Sequence, residues 1–521
     1  MPILFREGFL LFLSAALLVL PFHFGALGPL AFFALVPAFF CLKDKTSFQV
    51  FKCFFVMGFI YYAALGYWLN YVNVLGFLVL CAYLSLYFSF FGIWARPFLV
   101  FTKFRNGFFV AAIWVLLEYL RGALLSGFPW ALLGYSQWKI LPLIQIADLG
   151  GAYGVSFFIL CVNVWVFQIV RSLSGGSLLR PPFPRRQLTG LVSGFILVAG
   201  YGWISLNGRE AFYRDPRPKA EIRVSVLQGN IPQEKKWDAR IKNIIFEKYK
   251  RLMQMAAMER PDLVVWPETS FPGYLEDEAL MASRLRALVR QSHTSALVGA
   301  PTLGDLEKEL RFYNSAVLFG PSGEDIKRYH KEQLVPFGEY VPLEPFLGFL
   351  RYFVSIGHFN PGQGQGLFSI VSQYRPIRIA AKFSTLICYE DIFPELVRER
   401  CRAGADFLVN ISNDAWFGKT TAPYQHAQAS IFRAVENRVP VVRATNTGYS
   451  CFISAEGRVL SSVKNDGQEI MVSGLQTETL VLRKGRSIYT RFGGDLFFWL
   501  MVGLAVLGWR EKQKQSGHSR I

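Results

Sequence analysis

Three short stretches of this chain carry side chains suited to nucleophilic chemistry. In the first, Ser384 to Glu395, an apolar run ends in Cys388, two acidic residues follow, and then comes Phe-Pro-Glu. Pro394 suits the first turn of a helix, so Cys388 is expected at a strand-to-helix corner. The partial positive charge of a helix start favours a thiolate there, the nucleophilic form of cysteine. In the second stretch, Leu263 to Thr269, an apolar strand runs through Trp266 and Pro267 into Glu268, which places a carboxylate at a strand end. The third puts Lys331 just before Leu334 to Pro342, a loop punctuated by Pro and Gly that carries Glu339. Taken singly, each reads as an inert cysteine or a solvated charge. Together they supply a nucleophile, a base and a cation, the parts of catalysis through a covalent acyl intermediate.

Glu268, Lys331 and Cys388, in this order and these contexts, resemble the Glu-Lys-Cys triad of the nitrilase superfamily, over roughly residues 221–475. The resemblance implies an α/β nitrilase-like αββα sandwich. It makes Cys388 the nucleophile, Glu268 the general base and Lys331 the electrostatic group, with a backbone N–H after Cys388 completing an oxyanion hole. Glu339 then orients Lys331 or assists Glu268. A Cys-His-Asp arrangement is the rival triad; its nearest histidine, His426, sits in a helical stretch beside Gln425 and reads as structural. No cysteine pair has zinc-like spacing and the histidines are scattered, so no metal is expected; the resemblance implies no cofactor either, because an ester acyl donor is already activated.

The elements that hold these residues lie in a chain of 521 residues, 52% hydrophobic and 16% aromatic, with only 18% charged residues. Such values point to a membrane protein of more than one domain. The net charge of +18 raises nucleic acid as a partner. No basic stripe with interleaved aromatics accompanies it, so nucleic acid is not expected. Apolar runs near 8–24, 26–42, 53–71, 75–95, 107–125, 151–170 and 188–206 are each long enough to span a bilayer, and one more follows near 493–509. Lys43, Lys45 and Lys52, then Arg96, Lys103 and Arg105, then Arg171, Arg180, Arg185 and Arg186 fall in alternate loops, and Arg510, Lys512, Lys514 and Arg520 close the chain. The positive-inside rule makes these loops and both termini cytoplasmic. An odd number of spans then puts residue 207 onward outside. The loop from Ser126 to Trp138 is expected at the membrane interface on that outer side. Glu118 and Arg121 before it share one helical face, either as an ion pair or as a wall of a lipid-headgroup pocket.

The expected organisation is a transmembrane domain over 1–206, a polar linker over 207–220, a periplasmic nitrilase-like domain over 221–488, and a last helix with its tail over 489–521. In the soluble part, strands are expected near 222–227, 262–266, 295–300, 312–319, 407–411 and within 439–460, and helices near 239–259, 394–402 and 422–438. Leu343 to Phe353 is too apolar for an exposed loop and suggests a membrane-resting arm. A Cys401–Cys451 bridge is left open by the sequence.

A nitrilase-like domain between a group of spans and one final span resembles the family of apolipoprotein N-acyltransferases of the bacterial inner membrane. That resemblance implies a phospholipid acyl donor, diacylglyceryl-modified apolipoproteins as acceptors, and a monomer in the bilayer with its catalytic domain in the periplasm. Trp237, Tyr389 and Glu390 match positions the family uses around the substrate, and Asn413 and Trp416 are further lining candidates. A membrane-anchored hydrolase with the same triad, and a transporter whose outer domain merely binds, are the other readings. The intact triad disfavours the transporter; the many spans disfavour the hydrolase, for which one anchor would do.

Overall fold

The computed structural model describes residues 2–42, 44–100, 102–174, 184–214, 219–306, 309–340, 359–364, 366–373, 378–483 and 485–518. The chain forms two compact units, Met1–Asp215 with Ser487–Ile521, and Pro216–Arg486. The arm expected at Leu343 to Phe353 lies outside the described residues.

Among the described residues of the first unit, seven helices are long and apolar enough to cross a bilayer: Phe5–His23, Ser47–Leu65, Val74–Leu99, Asn106–Ser126, Ala147–Ser174, Arg185–Arg214 and Tyr489–Lys514. The eighth expected span, 26–42, is not one of them. It breaks into a 3-10 helix, Gly25–Phe32, and a short α-helix, Val36–Phe40. Gly25, Gly28, Pro29 and Pro37 explain the break, because they are poor α-helix formers. Side chains of neighbouring helices satisfy the backbone groups it frees. Asn163 Oδ1 accepts from Leu35 N at 2.8 Å, Asn163 Nδ2 donates to Ala31 O at 2.8 Å, and Ser14 Oγ accepts from Ala38 N at 2.9 Å. Such internal satisfaction is what irregular backbone needs where no water reaches it.

One further expectation is corrected here. The stretch 207–220 is no linker at its start, since the preceding helix runs on to Arg214, with Arg214 paired to Glu210 one turn back. Pro216 and Pro218 come only after it. The loop 126–138 packs into its own unit over most of its length. Trp130 to Gln137 are buried, with Leu133 N donating to Glu118 and Gly134 N to Ser156.

The second unit is built on two six-stranded sheets. The strands are β1 (Ala220–Gln228), β2 (Leu263–Val265), β3 (Ser295–Leu306), β4 (Glu309–Phe319), β5 (Asp325–His330), β6 (Leu367–Val371), β7 (Ala380–Ile387), β8 (Phe407–Ser412), β9 (Val441–Thr445), β10 (Cys451–Ile453), β11 (Val459–Ser462) and β12 (Gly474–Leu482). Their orders are β12-β1-β2-β3-β4-β5 and β11-β10-β9-β8-β7-β6. Each sheet has a parallel centre, β1-β2-β3 in one and β7-β8-β9 in the other, flanked by antiparallel strands.

The alternation along β2 shows how the layers form. Leu263 and Val265 face the other sheet, in one core with Val224, Phe383, Val409 and Val442. Val264 and the following Trp266 face the opposite way, against the helices Lys242–Met258 and Ala279–Ser292. The helices Pro394–Arg402 and Ala422–Asn437 cover the second sheet, which completes an αββα sandwich. Phe383 stacks between Phe368 and Phe407, each ring 5.2 Å away.

Candidate active site

Glu268, Lys331 and Cys388 each follow the C-terminal end of a strand: β2, β5 and β7 respectively. Open α/β sheets place ligand sites at such ends. Trp266, stacked on Tyr249 at 5.0 Å, anchors the turn after β2. Thr269 then takes a left-handed φ of 46°. The turn presses on β3, where any side chain at Gly299 would collide with the Pro267 carbonyl and the Glu268 Cα. Lys331 leaves β5 with its N–H on the carbonyl of Asn314, at 2.9 Å. Cys388 itself has φ 55°, an uncommon conformation for a residue with a Cβ, and one found at functional turns.

Glu390 holds that turn. Its Oε2 accepts from Ile387 N at 2.7 Å. Its Oε1 accepts from Glu332 N at 2.8 Å, Gln333 N at 3.1 Å and Tyr329 OH at 2.8 Å. One buried carboxylate thus ties the cysteine turn to the backbone just after Lys331. Asn410 adds a bond from its Nδ2 to Cys388 O, at 2.7 Å. The expected 394–402 helix begins with Pro394 at its first turn, but a short 3-10 helix, Cys388–Ile392, intervenes.

The three side chains meet. Lys331 Nζ lies 3.6 Å from Glu268 Oε1 and 2.9 Å from Glu339 Oε2, so Glu339 is its closer partner. Asn314 Nδ2 donates to Glu268 at 2.7 Å and to Glu339 at 3.0 Å, and Val335 N donates to Glu339 at 2.8 Å. Tyr389 donates its hydroxyl to Leu334 O at 2.5 Å, and its ring lies 5.5 Å from the Lys331 ammonium. Trp237 and Trp416 are each about half exposed. Asn413 donates to Gln233 at 2.7 Å and accepts from Asn446 at 2.9 Å.

Charges set the resting state. Burial works against the Lys331 ammonium, but Glu339, Glu268 and Cys388 outweigh it and hold its pKa well above the ordinary value. The Cys388 thiol goes the other way: burial pushes it up, Glu268 adds to that, and Lys331 only partly offsets them. The lean toward a thiolate expected from the helix start is outweighed, in keeping with a base being needed to take the proton. Cys388 rests as a thiol at neutral pH, because desolvation and a neighbouring carboxylate outweigh the helix start and the lysine.

Sequence reading passed over Lys236 and Asn314. Lys236 is buried and donates to the main-chain oxygen of Glu268 at 2.9 Å. Burial lowers its pKa to about 8 against the pull of Glu268 and Cys388. Its only signal in the sequence is adjacency to Trp237. Asn314 lies mid-strand in β4 and has none.

His426 belongs to a separate buried network. It meets Asp391 at 2.7 Å and Asp414 at 3.3 Å, and Asp391 also takes Arg443 Nη1 at 2.6 Å. Burial lowers the His426 pKa, but Asp391 above all reverses this and raises it to about 9. An imidazolium between two carboxylates is no general base for a thiol. Among the described residues no group of three His, Cys, Asp or Glu side chains is placed to hold a metal ion. Cys401 and Cys451 are free, buried thiols.

The model of the carbon-nitrogen hydrolase family matches residues 223–483, and that of the apolipoprotein N-acyltransferase N-terminal domain matches residues 14–165. An apolipoprotein N-acyltransferase of Geobacter metallireducens is 38% identical, over 97% of this chain and 96% of its own length. Those of Nitrosomonas europaea and Haemophilus influenzae are 35% and 33% identical, each over 83% of this chain and 80% and 82% of their own lengths.

Proposed function

The chain belongs to the apolipoprotein N-acyltransferase family, and we propose that it carries a fatty acyl chain from a membrane phospholipid to the α-amine of an apolipoprotein's N-terminal diacylglyceryl-cysteine, through a thioester on Cys388. This would be the last step of bacterial lipoprotein maturation. The observation that carries the reading is the convergence of Glu268, Lys331 and Cys388 at three strand ends, in a chain whose described residues include seven membrane-length helices.

In the first half-reaction Glu268 takes the Cys388 proton as sulfur attacks the ester carbonyl. The resting thiol makes this base necessary. The tetrahedral oxyanion is met by the Lys331 ammonium and the backbone N–H after Cys388. Collapse breaks the C–O bond, Glu268 returns the proton to the leaving alkoxide, and lysophospholipid departs. In the second half-reaction the lipoprotein amine attacks the thioester and gives its proton to Glu268. Sulfur leaves, is reprotonated, and an amide remains. Glu339 and Asn314 keep Lys331 and Glu268 aligned throughout. In this reading Tyr389 and Trp237 would flank the substrates, and Glu390 supports the turn. One chain supplies every group, which favours a working monomer.

The Lys and Arg pattern supports an inner-membrane enzyme with Pro216–Arg486 in the periplasm. That parity requires residues 25–40 to cross the membrane despite their break. A 3-10 helix rises about 2.0 Å per residue against 1.5 Å for an α-helix, which makes the crossing feasible for so short a stretch.

The test is purified protein with phospholipid labelled in its acyl chain and a diacylglyceryl-cysteine peptide. Label should reach the peptide α-amine and lysophospholipid should accumulate with it in equal amount. Transfer to water alone, at the same rate with and without peptide, would replace this reading by the hydrolase.

A further inference from the structure

Glu390 is not alone in tying the Cys388 turn to the backbone around Lys331. The helix Pro394–Arg402, which follows that turn, carries Arg400, and this arginine is buried. Its Nη2 meets Glu332 Oε2 at 2.5 Å and lies 3.4 Å from the Tyr329 hydroxyl. Its Nη1 donates to Gly364 O at 2.6 Å. The guanidinium also sits over the Tyr329 ring, 5.4 Å from the ring centre.

All three partners bear on Lys331. Glu332 follows it directly in the chain. Glu332 N and Tyr329 OH are two of the donors that Glu390 receives, at 2.8 Å each. Gly364 ends the segment 359–364, whose Gly362 N donates to Lys331 O at 2.8 Å. That segment packs closely on β5, for a Cβ at Gly362 would lie 2.2 Å from His330 O. Arg400 thus grips the residue after Lys331 along the chain and the segment paired with Lys331 across it.

A guanidinium is costly to bury, and its rigid fork suits places where each arm has its own acceptor. Here the two arms have Glu332 and Gly364. A shift of about 1 Å in a catalytic group can slow chemistry a hundredfold, so such a fork matters more for placement than for stability.

We propose that Arg400 is a positioning residue for Lys331: through Glu332 and Gly364 it fixes the main chain at the end of β5 and so sets the Lys331 ammonium against Glu268 and Cys388. This role rests on those given above to Lys331 and Cys388 under the acyl-transfer reading.

The test reads the nucleophile directly and needs no lipid. Full-length protein in detergent is treated with iodoacetamide, and the mass of the Cys388 peptide follows alkylation, in which sulfur displaces iodide as its proton passes to a base. Lys331→Met should be alkylated about tenfold or more slowly than the parent, because the forming thiolate loses its cation. Arg400→Met should be slowed in the same sense, by roughly three- to tenfold. Lys331→Met combined with Arg400→Met should be no slower than Lys331→Met alone, since one acts through the other. A merely structural role has the opposite sign: loosening would open the site and speed alkylation. Should Arg400→Met fold poorly with Glu332 left unpaired, Arg400→Met with Glu332→Gln leaves no lone charge, so it should melt near the parent and yet stay slow. Parent-like or faster alkylation in a folded Arg400 variant, slowing that multiplies with that of Lys331→Met, or a rate restored in the charge-free pair would each overturn the positioning role. Lys331→Met reacting at the parent rate would instead overturn the triad reading, and this role with it.

Discussion

Lys236 Nζ lies 2.9 Å from the main-chain oxygen of Glu268, so a second buried ammonium is fastened to the peptide that carries the candidate base. Left-handed Thr269 follows directly, and Gly299 leaves the turn no slack on its other side. Lys236→Met should therefore misplace Glu268 and remove positive charge near Cys388, slowing acylation of Cys388 by roughly ten- to a hundredfold. Its pKa, lowered to about 8, adds a pH signature. The ammonium is present below about 8 and lost above it, so the wild-type single-turnover rate should carry a descending limb there. Lys236→Met should be slow but lack that limb. A limb unchanged in the variant would assign it to another group.

Glu390→Gln should be strongly damaging, because the side chain is fully buried. The carboxylate receives four hydrogen bonds and makes none as a donor. An amide NH2 in place of either oxygen points hydrogens at N–H or O–H donors. The turn at Cys388 and the segment after Lys331 should both loosen. Activity should fall by about a hundredfold, with a loss of stability of about 1–3 kcal/mol for the donors left unsatisfied. Thermal unfolding and initial rates on the same preparation read both.

The His426 network predicts stability that depends on pH. The folded-state pKa is raised from the ordinary 6.5 to about 9. A raised pKa means the charged form is held in the folded state, so its contribution is complete below about 6.5 and is lost as pH rises toward 9. Lys236 titrates in the opposite sense near 8, so the signal is the difference between wild type and His426→Asn. That difference in melting temperature should shrink by roughly 5 °C between pH 6.5 and pH 9.5. A constant difference would mean that His426 is neutral when buried.

Much of this arrangement was legible in the sequence, for identifiable reasons. Lys331 and Cys388 follow a strand directly and Glu268 comes just two residues later than that, after Trp266 and Pro267, and β-alternation or an apolar run ending in a polar residue betrays a strand end. Pro267, Pro336 and Pro394 sharpened those boundaries. Asn314 and Lys236 stayed hidden because their importance lies in contacts made across the fold, with sequence separations of 46 and 32 from Glu268. How far the Cys388 thiol is pushed up is not legible locally: helix-start polarity can be read from sequence, whereas desolvation and Glu268 come from tertiary packing. The broken span at 25–40 was missed because composition measures hydropathy, not helicity. Its glycines and prolines are tolerable only with Asn163 and Ser14 in place to take up the freed backbone groups.

Topology is open to direct labelling. In a Cys388→Ala background, Lys52→Cys and Arg185→Cys should stay unreactive toward a membrane-impermeant maleimide in intact spheroplasts. Met258→Cys, exposed on the second unit, should react fully. The reverse pattern would place that unit in the cytoplasm and show that residues 25–40 do not cross.

The most direct measurement is the mass of the protein after mixing with phospholipid alone. Acyl transfer through Cys388 predicts one fatty acyl group on Cys388, with an equal amount of lysophospholipid released. Neutral hydroxylamine should remove it, as it does a thioester, and a diacylglyceryl-cysteine peptide should discharge it, while a peptide with a blocked α-amine should not. Glu268→Gln should slow its formation by about a hundredfold or more. An adduct that persists in Cys388→Ala, or lysophospholipid formed with Cys388 never acylated, would contradict the thioester mechanism.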